Sequence, residues 1–202
     1  MESISQLLAF SKKYLTERIG ESTEKILKEF EENKEQVRKE YLGVFHELFL
    51  MAAKKQQDEK KGKITYIHIF YLNSALLTGK MELQFSIYDK LSYLDTADCT
   101  DVWVPELFTK HFEEDMEWYS KLAYHNIVGF GYKELMEIRQ RYYSLYLLLM
   151  EQFFLQEAEQ ITMLESYKQM DKEEKIQILF GGYMDKAIQC WPPIQVKFEE
   201  EK

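Results

Sequence analysis

Four histidines, at positions 46, 68, 111 and 125, are the side chains of this 202-residue chain that could do acid–base or metal chemistry near neutral pH. Their spacing excludes several sites. A helical di-iron centre needs Glu-x-x-His on two helices, and that pattern does not occur. His46-Glu47 is followed by Leu48-Phe49-Leu50, so the second histidine of an HExxH zinc site is missing. The remaining metal-like pair is His111 with Asp115, four apart and beside Glu114, which a helix would place on one face. Zinc takes three or four protein ligands, so His125 or acids of the 95–101 loop would have to complete the site. The simpler reading is a solvent-facing pair one helical turn apart.

His68 is the second candidate. In an extended segment it shares a face with Ile64, Tyr66, Phe70 and Leu72. Such a histidine is either a hydrogen-bonded core residue or the one polar group of an aromatic pocket between a sheet and helices. The core reading is the simpler. In the pocket reading Tyr66, His68 and Phe70 are ligand contacts, with Tyr142, Tyr143 and Tyr146 arriving from a central helix.

Other chemistry is thin. Asp95, Asp98 and Asp101 lack calcium-loop spacing and read as residues that solvate or cap turns. Cys99 lies among those carboxylates, which oppose a reactive thiolate, and Cys190 beside Trp191 reads as packing. No G-x-S-x-G, P-loop or G-x-G-x-x-G occurs, and no cofactor is expected.

The elements that must carry these residues are mostly helical. Apolar periodicity predicts helices over about 3–19, 23–61, 105–124, 132–169 and 171–189. Gly20 reads as a helix stop, with Ser22 or Thr23 capping the next helix. Asp171 with Glu174 reads as a capping-box variant that starts the last helix. Residues 142–155, YYSLYLLLMEQFFL, are apolar almost all round, so their helix is buried on several sides.

Between Ile64 and Gly79 no residue carries a formal charge; strict alternation then follows, with Met81, Leu83, Phe85 and Ile87 opposite Glu82, Gln84, Ser86 and Tyr88. This predicts strands over about 64–77 and 80–89, joined at Thr78-Gly79. Residues 91–94 read as a short extended piece. The tail alternates again over 194–198, a third strand that could cover a hairpin edge. The expected fold is α+β: a mostly helical single domain, residues 1–202, around a central antiparallel β-hairpin.

Composition narrows the function classes. The net charge of −9 argues against nucleic-acid binding, where Lys and Arg replace counterions on phosphates. The cluster Lys54, Lys55, Lys60, Lys61 and Lys63 reads as compensation of a helix C-terminus. Two distant cysteines, no signal-peptide pattern and no apolar run of about 20 residues point to a reducing, cytoplasmic setting without a membrane span. The Lys/Glu/Ile-rich, Pro-poor composition is compatible with a bacterial source.

The leading functional expectation is a non-catalytic regulatory or protein-interaction module with a protein partner or a homodimer. Its charged helix over 23–61 would display the binding face. The alternative is a small-molecule binder using the His68 pocket, and the third is a metal-dependent enzyme at His111 and Asp115.

Overall fold

The computed structural model describes residues 2–78 and 80–194. Among the described residues the chain is α+β, with long helices and a five-stranded mixed sheet. In order come helix α1 (Glu2–Gln57), strand β1 (Ile64–Tyr71), the short helix α2 (Ala75–Thr78), and strands β2 (Leu83–Asp89) and β3 (Thr100–Trp103). Helices α3 (Glu106–Asn126), α4 (Tyr132–Thr162) and α5 (Glu165–Gln169) follow, then strands β4 (Lys172–Gly182) and β5 (Ala187–Trp191).

Helix α1 runs through Gly20, where the break between two helices was expected, and its two helical stretches meet further along instead. A glycine inside a helix costs only about 1 kcal/mol relative to alanine, so Gly20 between good helix formers does not stop it. Its supposed caps do other work: Thr23 Oγ1 donates back to the Ile19 carbonyl at 2.6 Å, and Ser22 bonds to Asp115. The irregularity falls instead at Asn33 (φ −120°, ψ 20°), whose side-chain amide donates to the Glu29 carbonyl. The helix ends at Gln57 with Lys54 and Lys55 in its last turn, facing the negative end of its dipole. Lys61 has a separate task. Its buried ammonium pairs with Asp95 and donates to the Ala97 carbonyl at 2.9 Å. Burial would raise the Asp95 carboxyl, but Lys61 and the backbone N–H groups of Asp89 and Ala97 outweigh it and hold it below the usual range.

The sheet order is β3-β2-β1-β4-β5. β1 pairs antiparallel with β2, as the hairpin expectation required, but it pairs parallel with β4 on its other side. The hairpin is therefore the middle of a larger sheet. Its connection is longer than a tight turn, since residues 72–82 include α2, and Gly79 of the expected turn lies outside the described residues. Two further expectations are overturned. Residues 171–189, expected as helix, form β4 and the start of β5. Residues 92–94 form a 3-10 turn instead of an extended piece. The tail strand expected over 194–198 lies outside the described residues beyond Ile194.

The chain forms two compact units, each assembled from three stretches. The sheet unit comprises 41–71, 83–103 and 152–202. Its core lies on one sheet face: Phe45 stacks on Phe85 at 4.3 Å, while Phe154 meets Phe85 at 6.1 Å and Phe180 at 5.8 Å. The helical unit comprises 1–40, 72–82 and 104–151. There Phe112 of α3 lies against Tyr142, Tyr143 and Tyr146 of α4, at 6.1, 6.1 and 5.2 Å between ring centres. Among the described residues no helix is long and apolar enough to cross a membrane.

Candidate functional site

Strand alternation decides which way His68 points. In β1, Ile67 and Ile69 pair with Ile87 and Phe85 of β2, on the face that meets Phe45 and Phe154. Tyr66, His68 and Phe70 pair with Tyr88, Ser86 and Gln84, and so belong to the opposite face. The expected pocket between sheet and helices is thereby displaced to the outer side of the sheet.

On that outer side His68 is enclosed by rings. It stacks on Phe70 at 4.8 Å and meets Tyr66 at 6.1 Å, Tyr88 at 5.6 Å and Tyr93 at 5.6 Å. Tyr183, in the turn between β4 and β5, closes the edge of the cluster, 5.4 Å from Phe70 and 5.6 Å from Tyr93. His68 retains 5% exposure and Tyr183 54%. Both covering turns hold a non-glycine residue at positive φ next to the tyrosine: Ser92 at 53° beside Tyr93, and Met184 at 54° beside Tyr183. This conformation is uncommon for residues with a side chain.

The cluster has one electrostatic peculiarity. His68 Nδ1 is buried and has no hydrogen-bond partner among the described residues. Burial lowers the imidazole from 6.5 to about 4, because nothing near it compensates a positive charge. The ring is therefore neutral at pH 7. Burial likewise pushes the Tyr88 and Tyr93 hydroxyls upward, with a Ser86 hydrogen bond opposing at Tyr88 and a Met184 backbone bond opposing at Tyr93. Trp103 Nε1 and Thr109 Oγ1 are also buried without partners, but neither of them titrates near neutral pH.

Tyr142 and Tyr146, expected beside His68, belong to the helical unit and serve Asp115 there. Their hydroxyls donate to Asp115 Oδ2 at 2.7 and 2.8 Å. Arg18 Nε and Ser22 Oγ donate to Oδ1 at 2.5 and 2.8 Å. Burial, reinforced by the Asp115 carboxylate, raises both tyrosines well above their ordinary value. Asp115 is 1% exposed, and both its oxygens are engaged.

His111 is buried as well, against the expectation of a solvent-facing pair, and it turns to Glu29 through Nε2 at 2.9 Å. Lys110 above all, with His111, holds the Glu29 carboxyl below its usual range against partial burial. His111 and Asp115 thus have separate partners, and among the described residues no group of three or more His, Cys, Asp or Glu side chains could hold a metal ion.

Tyr66, His68 and Phe70 are thus brought together, and Tyr88, Tyr93 and Tyr183 complete their cluster. Tyr88 was legible as an outward residue of an alternating strand. Tyr93 and Tyr183 come from turns whose placement depends on distant pairing, and no local signal marks them. Comparison with protein-family models, curated proteins and solved structures found no match to this chain.

Proposed function

We propose that this chain is a non-catalytic binding module of a regulatory kind, which takes a small molecule at the aromatic cluster around His68. The observation that carries this reading is the buried, unpartnered Nδ1 inside a cluster of rings. A buried polar atom left unsatisfied costs about 1–3 kcal/mol, and such an atom calls for an explanation. A ligand group that bonds to it supplies one. Catalysis fits less well. A general base works best with a pKa near the operating pH, whereas His68 is held near 4, and burial raises the Tyr88 and Tyr93 hydroxyls beside it, which disfavours a phenolate nucleophile.

The test is a thermal-shift screen against a metabolite library, followed by NMR of the His68 imidazole with each hit. A hit that raises the melting temperature, moves the His68 ring nitrogens and is lost in His68→Phe supports the reading. Hits that leave His68 unmoved, or a library without hits, contradict it.

A second reading, interaction with a protein partner or a second copy, is favoured by the helical unit. Around the α3–α4 connection Tyr124 in the last turn of α3 (67%), Val128 (88%) and Tyr132 at the start of α4 (75%) are exposed. Beside it lies a cavity of about 500 Å³ lined by Leu76, Tyr132 and Met136 among others. Exposed apolar groups gathered in one place mark interaction surfaces. Light scattering tests the dimer: a wild-type dimer that becomes a monomer in Val128→Ser/Tyr132→Ser supports it, and a monomeric wild type rules it out.

A further inference from the structure

We infer that the His68 cluster is built for a neutral, planar aromatic molecule carrying one N–H or O–H group, admitted by displacement of Tyr183. The inference rests on the binding reading above and adds the ligand's chemical class. Three observations carry it.

The walls are aromatic: Tyr66, Phe70, Tyr88 and Tyr93 surround the imidazole with ring centres 4.8 to 6.1 Å away. Stacked and edge-on rings favour a flat aromatic guest.

The polarity is minimal. Rings surround the imidazole, and burial alone shifts it, with no charged partner contributing among the described residues, so an ion entering there would lose its hydration without a counter-charge. A neutral imidazole offers one donor and one acceptor nitrogen, and its unpartnered Nδ1 can take a single hydrogen bond in either tautomer. A guest N–H serves the acceptor form, and a hydroxyl serves both.

The entrance is already occupied by a group of the same kind. Tyr183 is a phenol, a neutral flat ring with one O–H, set edge-on to Phe70 at 67° and to Tyr93 at 76°. It is half exposed and stands in a turn where Met184 holds φ 54°. Moving it out therefore gives up less buried area than moving Tyr66, Tyr88 or Tyr93, none of which is exposed.

Four probes of one shape test the inference on the full chain: indole, its isostere indene without the N–H, cationic tryptamine and anionic indole-3-acetate. Binding is read from the His68 ring-nitrogen resonances. Indole is expected to bind and to shift Nδ1, with indene about tenfold weaker for want of one hydrogen bond to a buried atom. In His68→Phe, where binding is read from the shift in melting temperature, the two are expected to bind alike. Tyr183→Ala, a change at a half-exposed turn residue, is expected to bind indole several-fold tighter.

Indene binding as well as indole to the wild type overturns the inference, as does indole binding to Tyr183→Ala no tighter than to the wild type. If tryptamine or indole-3-acetate moves His68 and indole does not, the ligand class fails while the binding site stands. If none of the four moves His68 and the metabolite screen is also blank, site and class fail together.

Discussion

At the scale of single residues, two buried groups with opposite needs define the molecule. Asp115 is a carboxylate whose four donors, Arg18 and Ser22 of α1 and Tyr142 and Tyr146 of α4, replace the water it has lost. Removing its charge leaves Arg18, itself largely buried, without its main partner. Breaking a buried pair from one side costs about 3–5 kcal/mol. Asp115→Asn is therefore expected to lower stability by about that much in urea denaturation. A loss below 1 kcal/mol would show the network to be dispensable.

His68 has no such donors, and its consequence is a pH dependence. Its neighbours are the uncharged rings of Tyr66 and Phe70 on β1, Tyr88 on β2 and Tyr93 on the 3-10 turn, with Tyr183 beyond them and Asp98 acting on Tyr88. Burial depresses the folded imidazole from 6.5 to about 4, so between those values the unfolded chain binds the proton first. The stability is fully present above pH 6.5 and is lost as the pH falls through this window, by on the order of 3 kcal/mol at pH 4. His68→Phe lacks this loss. Its stability relative to the wild type, measured by urea titration at pH 7 and pH 4, is expected to rise by that amount.

Among secondary-structure elements, β4 shows where the sequence could be read and where it could not. Ile176, Ile178 and Phe180 alternate as a strand requires, but the polar start Asp171 to Lys175 imitates a capped helix. The deciding partner, β1, lies a hundred residues away and pairs in parallel, without a turn to announce it. Gly181-Gly182, two weak helix formers, reads as a kink or break in that helix. Its role is close approach: a Cβ on Gly181 would lie 2.5 Å from the Lys186 carbonyl and 2.7 Å from Ala187 Cα. Both are backbone atoms of the turn and of β5, which cannot step aside without breaking the pairing. Gly181→Ala is expected to cost about 1–3 kcal/mol, the range of overpacked sites, in thermal or urea unfolding. An unchanged midpoint would show that the β4–β5 turn yields freely.

The β1–β2 pair was legible, because charge-free and alternating runs are local signals. So were α3 and most of α4, from their apolar periodicity. The face of His68 was half legible: alternation grouped it with Tyr66 and Phe70 but could not say which side the helices take. That choice is made by Phe45, Phe154 and Phe180, which belong to three other elements.

For the whole molecule, the notable property is how the chain is shared out. Neither compact unit is a continuous stretch, and α1 and α4 each contribute residues to both. A chain ending at Glu151 lacks β4, the neighbour of β1 on one side, so it cannot form the order β3-β2-β1-β4-β5. Residues 1–151 are expected to give no cooperative sheet transition. We propose that the full chain folds as a single domain, with one urea midpoint by far-UV circular dichroism and by the fluorescence of Trp103, Trp118 and Trp191. Two separated midpoints would count against it.

The most direct measurement of the central claim is the long-range 15N–1H NMR spectrum of His68 in the free protein between pH 5 and 7.5. A neutral ring with constant shifts over that range, and with Nδ1 at the position of a nitrogen that makes no hydrogen bond, is the expected result. An imidazole that titrates near its ordinary value, or an Nδ1 already carrying a hydrogen bond, would contradict it.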